Sequence, residues 1–185
     1  MRELFETLRR DTTRYSQSQT GFLVQAVKNL YSHPAFAAVV FYRLGHWAWS
    51  GRRNPLLIAL YIVYRLLYPL VRWYSGVELQ ARTQIGAGLC LMHFGPVVIH
   101  PGVVAGEDLT VLQNVTIGES KEGAPILGSR VAIGVGATVI GRVTIGDDVN
   151  IGAGAVVVRD LPSGCTAVGV PAKPLMPHHG LVAFE

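Results

Sequence analysis

Apolar residues recur at every sixth position through much of the second half of the chain. Ile85, Leu91, Val97, Val103, Leu109 and Val115 fall six apart, and after an interruption the beat resumes at Leu127, Ile133, Val139, Ile145, Ile151 and Val157. Glycine directly follows the beat residue at Gly86, Gly128, Gly134, Gly146 and Gly152. An amphipathic helix repeats every three or four residues, and a half-buried strand every two. A period of six fits neither. It predicts a parallel β-helix of about four coils, with about three hexads per coil, from about Thr83 to Val158. Each short strand then sends an aliphatic residue inward, and glycine serves turns that need positive φ or close backbone approach.

The first seventy-odd residues carry a helical pattern instead. Met1 to Thr20 is polar and reads as mobile or partly helical. A helix is predicted from Phe22 to Ser32, with Gly21 before it and His33-Pro34 closing it. A second runs from Ala35 to Ser50 and ends at Gly51. A third opens at Pro55, an apt first helical residue, and continues to about Tyr74. Its length would cross a bilayer, but Arg65 sits mid-run, where a charge costs about 2.5–3.5 kcal/mol on insertion scales. Two readings remain open. The helix is either buried in an oligomeric helical cap or interfacial, with Trp47, Trp49 and Trp73 as anchors and Arg52, Arg53 and Arg72 facing lipid headgroups.

The beat breaks at Gly118-Glu119-Ser120-Lys121-Glu122-Gly123-Ala124-Pro125, a loop pushed out of a coil and a natural place for binding groups. Asp160-Leu161-Pro162-Ser163-Gly164 ends the coils, and Ala167 to Pro174 leaves as an extended, proline-fixed strand. The chain therefore divides into a helical region at 1–75, a β-helix at 76–162 and an extended tail at 163–185.

Charge sharpens this division. Met1 to Tyr74 holds ten Lys/Arg against three Asp/Glu, a net of +7, and the remainder holds six against nine, a net of −3. The basic residues are interleaved with large apolar ones rather than clustered, which favours a membrane surface over nucleic acid. Cys90 and Cys165, the two cysteines, form neither a disulfide framework nor a metal motif, so reduced thiols are expected. The N-terminal stretch lacks the apolar core of a signal peptide, and a cytoplasmic protein is expected, peripheral on the inner face of the membrane under the interfacial reading of the third helix.

Several motifs together resemble the serine acetyltransferase family of left-handed β-helix hexapeptide acyltransferases. They are Tyr42-Arg43-Leu44-Gly45-His46-Trp47, His93 with Gly95, Asn114-Val115-Thr116-Ile117-Gly118, Ile151-Gly152-Ala153-Gly154-Ala155-Val156-Val157 and Gly169-Val170-Pro171-Ala172-Lys173. Gly76-Val77-Glu78-Leu79-Gln80 and Val103-Val104-Ala105-Gly106-Glu107-Asp108 suggest the exopolysaccharide branch, of the colanic-acid type. The resemblance implies a left-handed parallel β-helix with an N-terminal α-helical region, assembled as a homotrimer that transfers acetyl from acetyl-CoA to a hydroxyl.

It also implies the site. A hydroxyl attacking a thioester needs a base that works near neutral pH, and histidine suits that task. His93 falls at the family's catalytic position, and Glu78 stands fifteen residues earlier, where the family has an orienting aspartate. Gly118, Val135 and Ala153 should line the pantetheine arm, with Lys173 and Arg159 near the phosphates. No metal site is implied. The family's loop Arg-His pair, which holds an amino-acid carboxylate, is replaced by Gly123 and Ala124. Its Asp-Pro-Ala motif is missing, and Met92 stands where an aspartate precedes the histidine. A zwitterion needs opposing charges to offset its desolvation. These departures point to a sugar hydroxyl in an exopolysaccharide or glycolipid precursor, with Met92, His100, Gln113, Asn114 and Lys121 as candidate contacts. Serine itself is the alternative acceptor, and a non-catalytic solenoid scaffold is the alternative of another class.

Overall fold

The structure is a computed structural model that describes residues 1–15, 21–51 and 53–175. Four helices precede a parallel β-solenoid: α1 (Arg2–Tyr15), α2 (Phe22–Ser32), α3 (Pro34–Ser50) and α4 (Pro55–Ser75). The polar N-terminal stretch is thus a full helix as far as Tyr15. Pro34 and Pro55 occupy first helical positions, where the missing N–H costs nothing. The Asn54 side chain caps α4 by accepting the Leu56 N–H at 2.9 Å. Gly76, at φ +71°, ends it in the left-handed conformation.

Among the described residues the strands form three sheets of five, four and six strands, one on each face of the solenoid. The first face stacks Val77–Leu79, Val97–Ile99, Thr116–Gly118, Thr138–Ile140 and Val156–Val157. The second stacks Gln84–Ile85, Val104–Ala105, Ile126–Leu127 and Thr144–Ile145. The third stacks Cys90–Leu91, Thr110–Val111, Ala132–Ile133, Asn150–Ile151 and Thr166–Val168. Every neighbouring pair in these stacks is parallel, so the expected β-helix is present. It has five rungs on its first face rather than about four coils. The additional rung, Val77–Leu79, precedes the start of the beat. The tail does not leave the solenoid at once: Lys173–Leu175 folds back antiparallel onto Thr166–Val168.

The core is a column of aliphatics, with Leu91, Ile99, Leu109, Ile117, Ile133, Ile145 and Ile151 at most 1% exposed. At about 25 cal/mol per Å² of apolar surface removed from water, this column is the main favourable term in the fold. The helices close its first end. Tyr42 of α3 donates its hydroxyl to the Thr83 carbonyl at 2.8 Å and accepts the Ile85 N–H at 3.3 Å. Burial pushes that phenol up to about 12. The aromatic ring of Tyr64 lies against Gly45, where no side chain intervenes, which lets α4 lie close on α3.

Only a stripe of α4 faces inward. Leu57, Tyr61, Tyr64, Tyr68, Val71 and Ser75, spaced three or four apart, are its less exposed positions. The rest is apolar and open, with Leu66 72% and Trp73 83% exposed. Of the expected anchors only Trp73 points outward, since Trp47 and Trp49 are half-buried. Arg72 is held by Glu78 rather than left free for headgroups, and Arg52 lies outside the described residues.

Candidate active site

The third face turns into the first at a corner that each coil repeats. Leu91, Val111, Ile133 and Ile151 hold equivalent places in successive coils. Two residues beyond the last three come Gln113, Val135 and Ala153, which form one column, while His93, two beyond Leu91, stands in the coil above it. Backbone hydrogen bonds tie the column together: Gly136 N–H donates to Gln113 O at 3.1 Å, and Gly154 N–H to Val135 O at 2.8 Å. The following residue turns left-handed in each of these coils, with Asn114 at φ +63°, Gly136 at +69° and Gly154 at +66°.

The His93 coil departs from the rule. Leu91 to Ile99 spans eight residues, whereas the equivalent Ile133 to Val139 spans six. Within this two-residue insertion His93 itself takes φ +68° and is exposed. A non-glycine residue held left-handed is a conformation that surrounding structure must impose, and such residues gather at functional sites. One coil below, the Gln113 side-chain oxygen is buried without a hydrogen-bond partner. Gly95 packs so closely above it that a Cβ there would lie 2.9 Å from the Gln113 Cβ.

His93 opens into a cleft of about 290 Å³ whose other wall is helical, near the lower end of small-molecule sites at roughly 300–1,000 Å³. Arg14, Tyr15 and His33 face Met92, His93 and Phe94 across it. The Tyr15 hydroxyl fixes the wall by accepting the Leu91 N–H at 2.7 Å and donating to the Leu91 carbonyl at 3.1 Å. Burial raises that phenol well above its ordinary value. Burial also pushes the neighbouring Cys90 thiol up to about 11, so it stays protonated and is not a nucleophile.

The remaining candidates occupy other places. Glu78 stands on the first strand opposite Val98, its carboxylate 2.8 Å from the Arg72 guanidinium. Gly118 ends its strand at the far edge of the first face, and Lys121, Arg159 and His100 follow just beyond that edge, one strand away from the His93 corner. A three-residue strand separates the two edges by roughly 10 Å. The His100 Nδ1 accepts the Gly102 N–H at 3.2 Å, and its Nε2 lies 3.2 Å from the Glu119 carboxylate. Lys173 is exposed on the antiparallel strand that ends the third face. The structure thus gathers His93, Met92, Gln113, Asn114, Val135 and Ala153 at one corner and sets the others apart.

Residues 124–159 match the family model described as bacterial transferase hexapeptide (six repeats). The chain is 38% identical over 148 residues to a serine acetyltransferase of Synechococcus elongatus, covering 78% of this chain and 58% of that protein. It is 41% identical over 145 residues to a serine acetyltransferase of Helicobacter pylori, covering 76% of this chain and 81% of that one. The chain belongs to the serine acetyltransferase family. Solved structures agree. The Neisseria gonorrhoeae serine acetyltransferase in complex with serine superimposes with a TM-score of 0.77 at 27% identity, covering 94% of this chain and 69% of that one. A serine acetyltransferase in complex with CoA gives 0.75 at 25% identity, covering 94% and 70%.

Membership in the serine acetyltransferase family corrects two expectations. The relatives are serine acetyltransferases, and none of the matches described places the chain in an exopolysaccharide branch. The residues that suggested that branch have structural duties. Gly76 caps α4 at φ +71°, and Glu107 and Asp108 receive the Arg10 guanidinium at 2.9 and 2.6 Å. The saccharide acceptor is likewise overturned by relatives 34–41% identical over most of the chain. The opposite wall of the cleft, with Arg14 and His33, was missed. Its ties to the corner cross 76 residues, and no periodic signal reports polar contacts at that range.

Proposed function

We propose that the chain is an acetyl-CoA-dependent serine O-acetyltransferase. The observation that carries this reading is the lengthened corner that presents His93, left-handed and exposed, in the coil above the column of Gln113, Val135 and Ala153. Below it, Val135 and Ala153 leave a track for the pantetheine arm, and the unpartnered Gln113 oxygen offers an acceptor for an amide N–H of the donor. Gly118 borders the far edge, and Arg159 and Lys173 supply cations toward the phosphates.

In the reaction the imidazole of His93 takes the proton of the serine hydroxyl as that oxygen attacks the thioester carbonyl. Backbone N–H groups at the corner steady the negative oxygen of the tetrahedral intermediate. The C–S bond then breaks, the imidazolium returns the proton to the CoA thiolate, and O-acetylserine leaves. Glu78, held by Arg72, is the carboxylate assigned to steady the imidazolium.

Gly118 and Arg159 lie at the edge of the first face opposite the His93 corner. A three-fold assembly supports their meeting, because a neighbouring copy brings its far edge against the His93 corner. The reading is therefore of a homotrimer in the cytoplasm, with the open face of α4 lying peripherally on an anionic membrane surface. Thiol release from acetyl-CoA with L-serine tests the activity. His93→Ala should lower kcat by about 10²–10⁴-fold with melting unchanged. No turnover of serine, or full activity in that variant, would sink the reading.

A further inference from the structure

Free serine enters any acetylation site as a zwitterion, and its carboxylate must exchange water for a donor of comparable strength. The extruded loop offers no cation at Gly123 or Ala124. Resting on the serine reading above, we propose that Arg14 of α1 binds the acceptor carboxylate and so selects an amino acid over a neutral alcohol.

Three observations converge on Arg14. It shares the cleft of about 290 Å³ with His93, and among the described residues that cleft is lined by no aspartate or glutamate. Its guanidinium is exposed, and one N–H is braced on Thr110 Oγ1 at 2.6 Å. The planar fork carries five N–H donors, so the brace fixes the group while leaving others for a bidentate carboxylate. Finally, the position is held in register with the base. The neighbouring Tyr15 hydroxyl makes both of its bonds to Leu91, two residues before His93, and Cys90 approaches the Arg14 carbonyl at 4.0 Å. The cation and the imidazole are therefore positioned from one short strand, although Arg14 lies in the helical region and His93 in the solenoid.

The geometry divides the labour. His93 meets the hydroxyl, Arg14 meets the carboxylate, and the extruded loop is not required for charge recognition. This explains how a loop with no cation at Gly123 or Ala124 accompanies a serine acceptor.

The test compares L-serine with L-serinamide, which keeps the hydroxyl and amine but lacks the carboxylate. The full-length protein should prefer serine. Arg14→Gln should raise KM for serine about ten- to a hundred-fold, with kcat largely kept and KM for serinamide unchanged. Arg14→Lys should restore part of the preference, because a point charge replaces the fork. Thr110→Val, which removes the brace and not the cation, should weaken serine binding less. Equal effects of Arg14→Gln on the two acceptors, or none on either, would overturn the proposal. Absence of serine turnover in the unmodified protein would instead overturn the function on which it rests. Unchanged melting of Arg14→Gln separates lost recognition from lost folding.

Discussion

Asp11 has no exposed surface, yet its carboxylate is fully engaged. It receives Arg43 Nε at 2.7 Å and Nη2 at 3.1 Å, together with the N–H groups of Gly88 at 2.8 Å and Leu89 at 2.9 Å. Arg43 spends its other donors on the Ile85 and Gly86 carbonyls at 2.6 and 2.7 Å. One buried ion pair thus joins α1, α3 and the first coil. Arg43→Ala leaves the Asp11 charge buried without its cation and should cost about 3–5 kcal/mol by chemical denaturation. A loss below about 1 kcal/mol, the level of an exposed pair, would show that water reaches this carboxylate. Arg43 stood in a motif that the sequence displayed plainly. Its partner did not, because a lone aspartate in a polar stretch carries no mark of burial.

At the scale of the element, the six-residue beat survived two insertions that should have broken it. The His93 corner adds two residues. The extruded loop adds four, since Ile117 to Leu127 spans ten where Val139 to Ile145 spans six. The total is one full hexad. Ile85 and Leu91 lie on strands, whereas Val103, Leu109 and Val115 fall just before them, and Leu127 onward lie on strands again. Both sets are buried, so the period persisted while its meaning changed. The glycines after the beat act by close approach. A Cβ on Gly134 would meet the Ala153 nitrogen at 2.7 Å and the Gly152 carbon at 2.9 Å, both backbone of the next coil. Gly134→Ala should therefore destabilise by about 1–3 kcal/mol through overpacking. Gly136→Ala meets open space but holds φ +69°, and should cost about 1–2 kcal/mol from strain alone. Thermal denaturation of the two, with a loop substitution as control, checks both. A neutral Gly134→Ala would mean that the coils can slide apart.

For the whole molecule, the open face of α4 is the feature that an isolated chain leaves uncovered. The helix is 21 residues long, and 6% of its most apolar window is buried. Arg53 and Arg65 are exposed near it, and no acidic residue occurs from Asn54 to Ser75. That combination complements an anionic surface, and symmetric contacts would set Arg65 against its own copies. The protein should float with vesicles containing anionic lipid and not with zwitterionic ones, and Leu66→Glu should abolish flotation. Failure to float, together with loss of self-association in Leu66→Glu, would assign the face to an oligomeric cap instead.

The sequence by itself determined the solenoid, the ends of the second, third and fourth helices and the extruded loop, because each leaves a local trace. A repeat period, a proline at a helix start, a glycine after one and a broken beat can all be read within about twenty residues. Only the tertiary structure decided that Arg14 and Tyr15 wall the His93 cleft, that Glu78 pairs with Arg72, and that Gln113 keeps a buried oxygen without a partner. Those facts depend on which coil a helix docks against. Polar contacts at such distances are set by packing of the whole chain and impose no pattern on neighbouring residues.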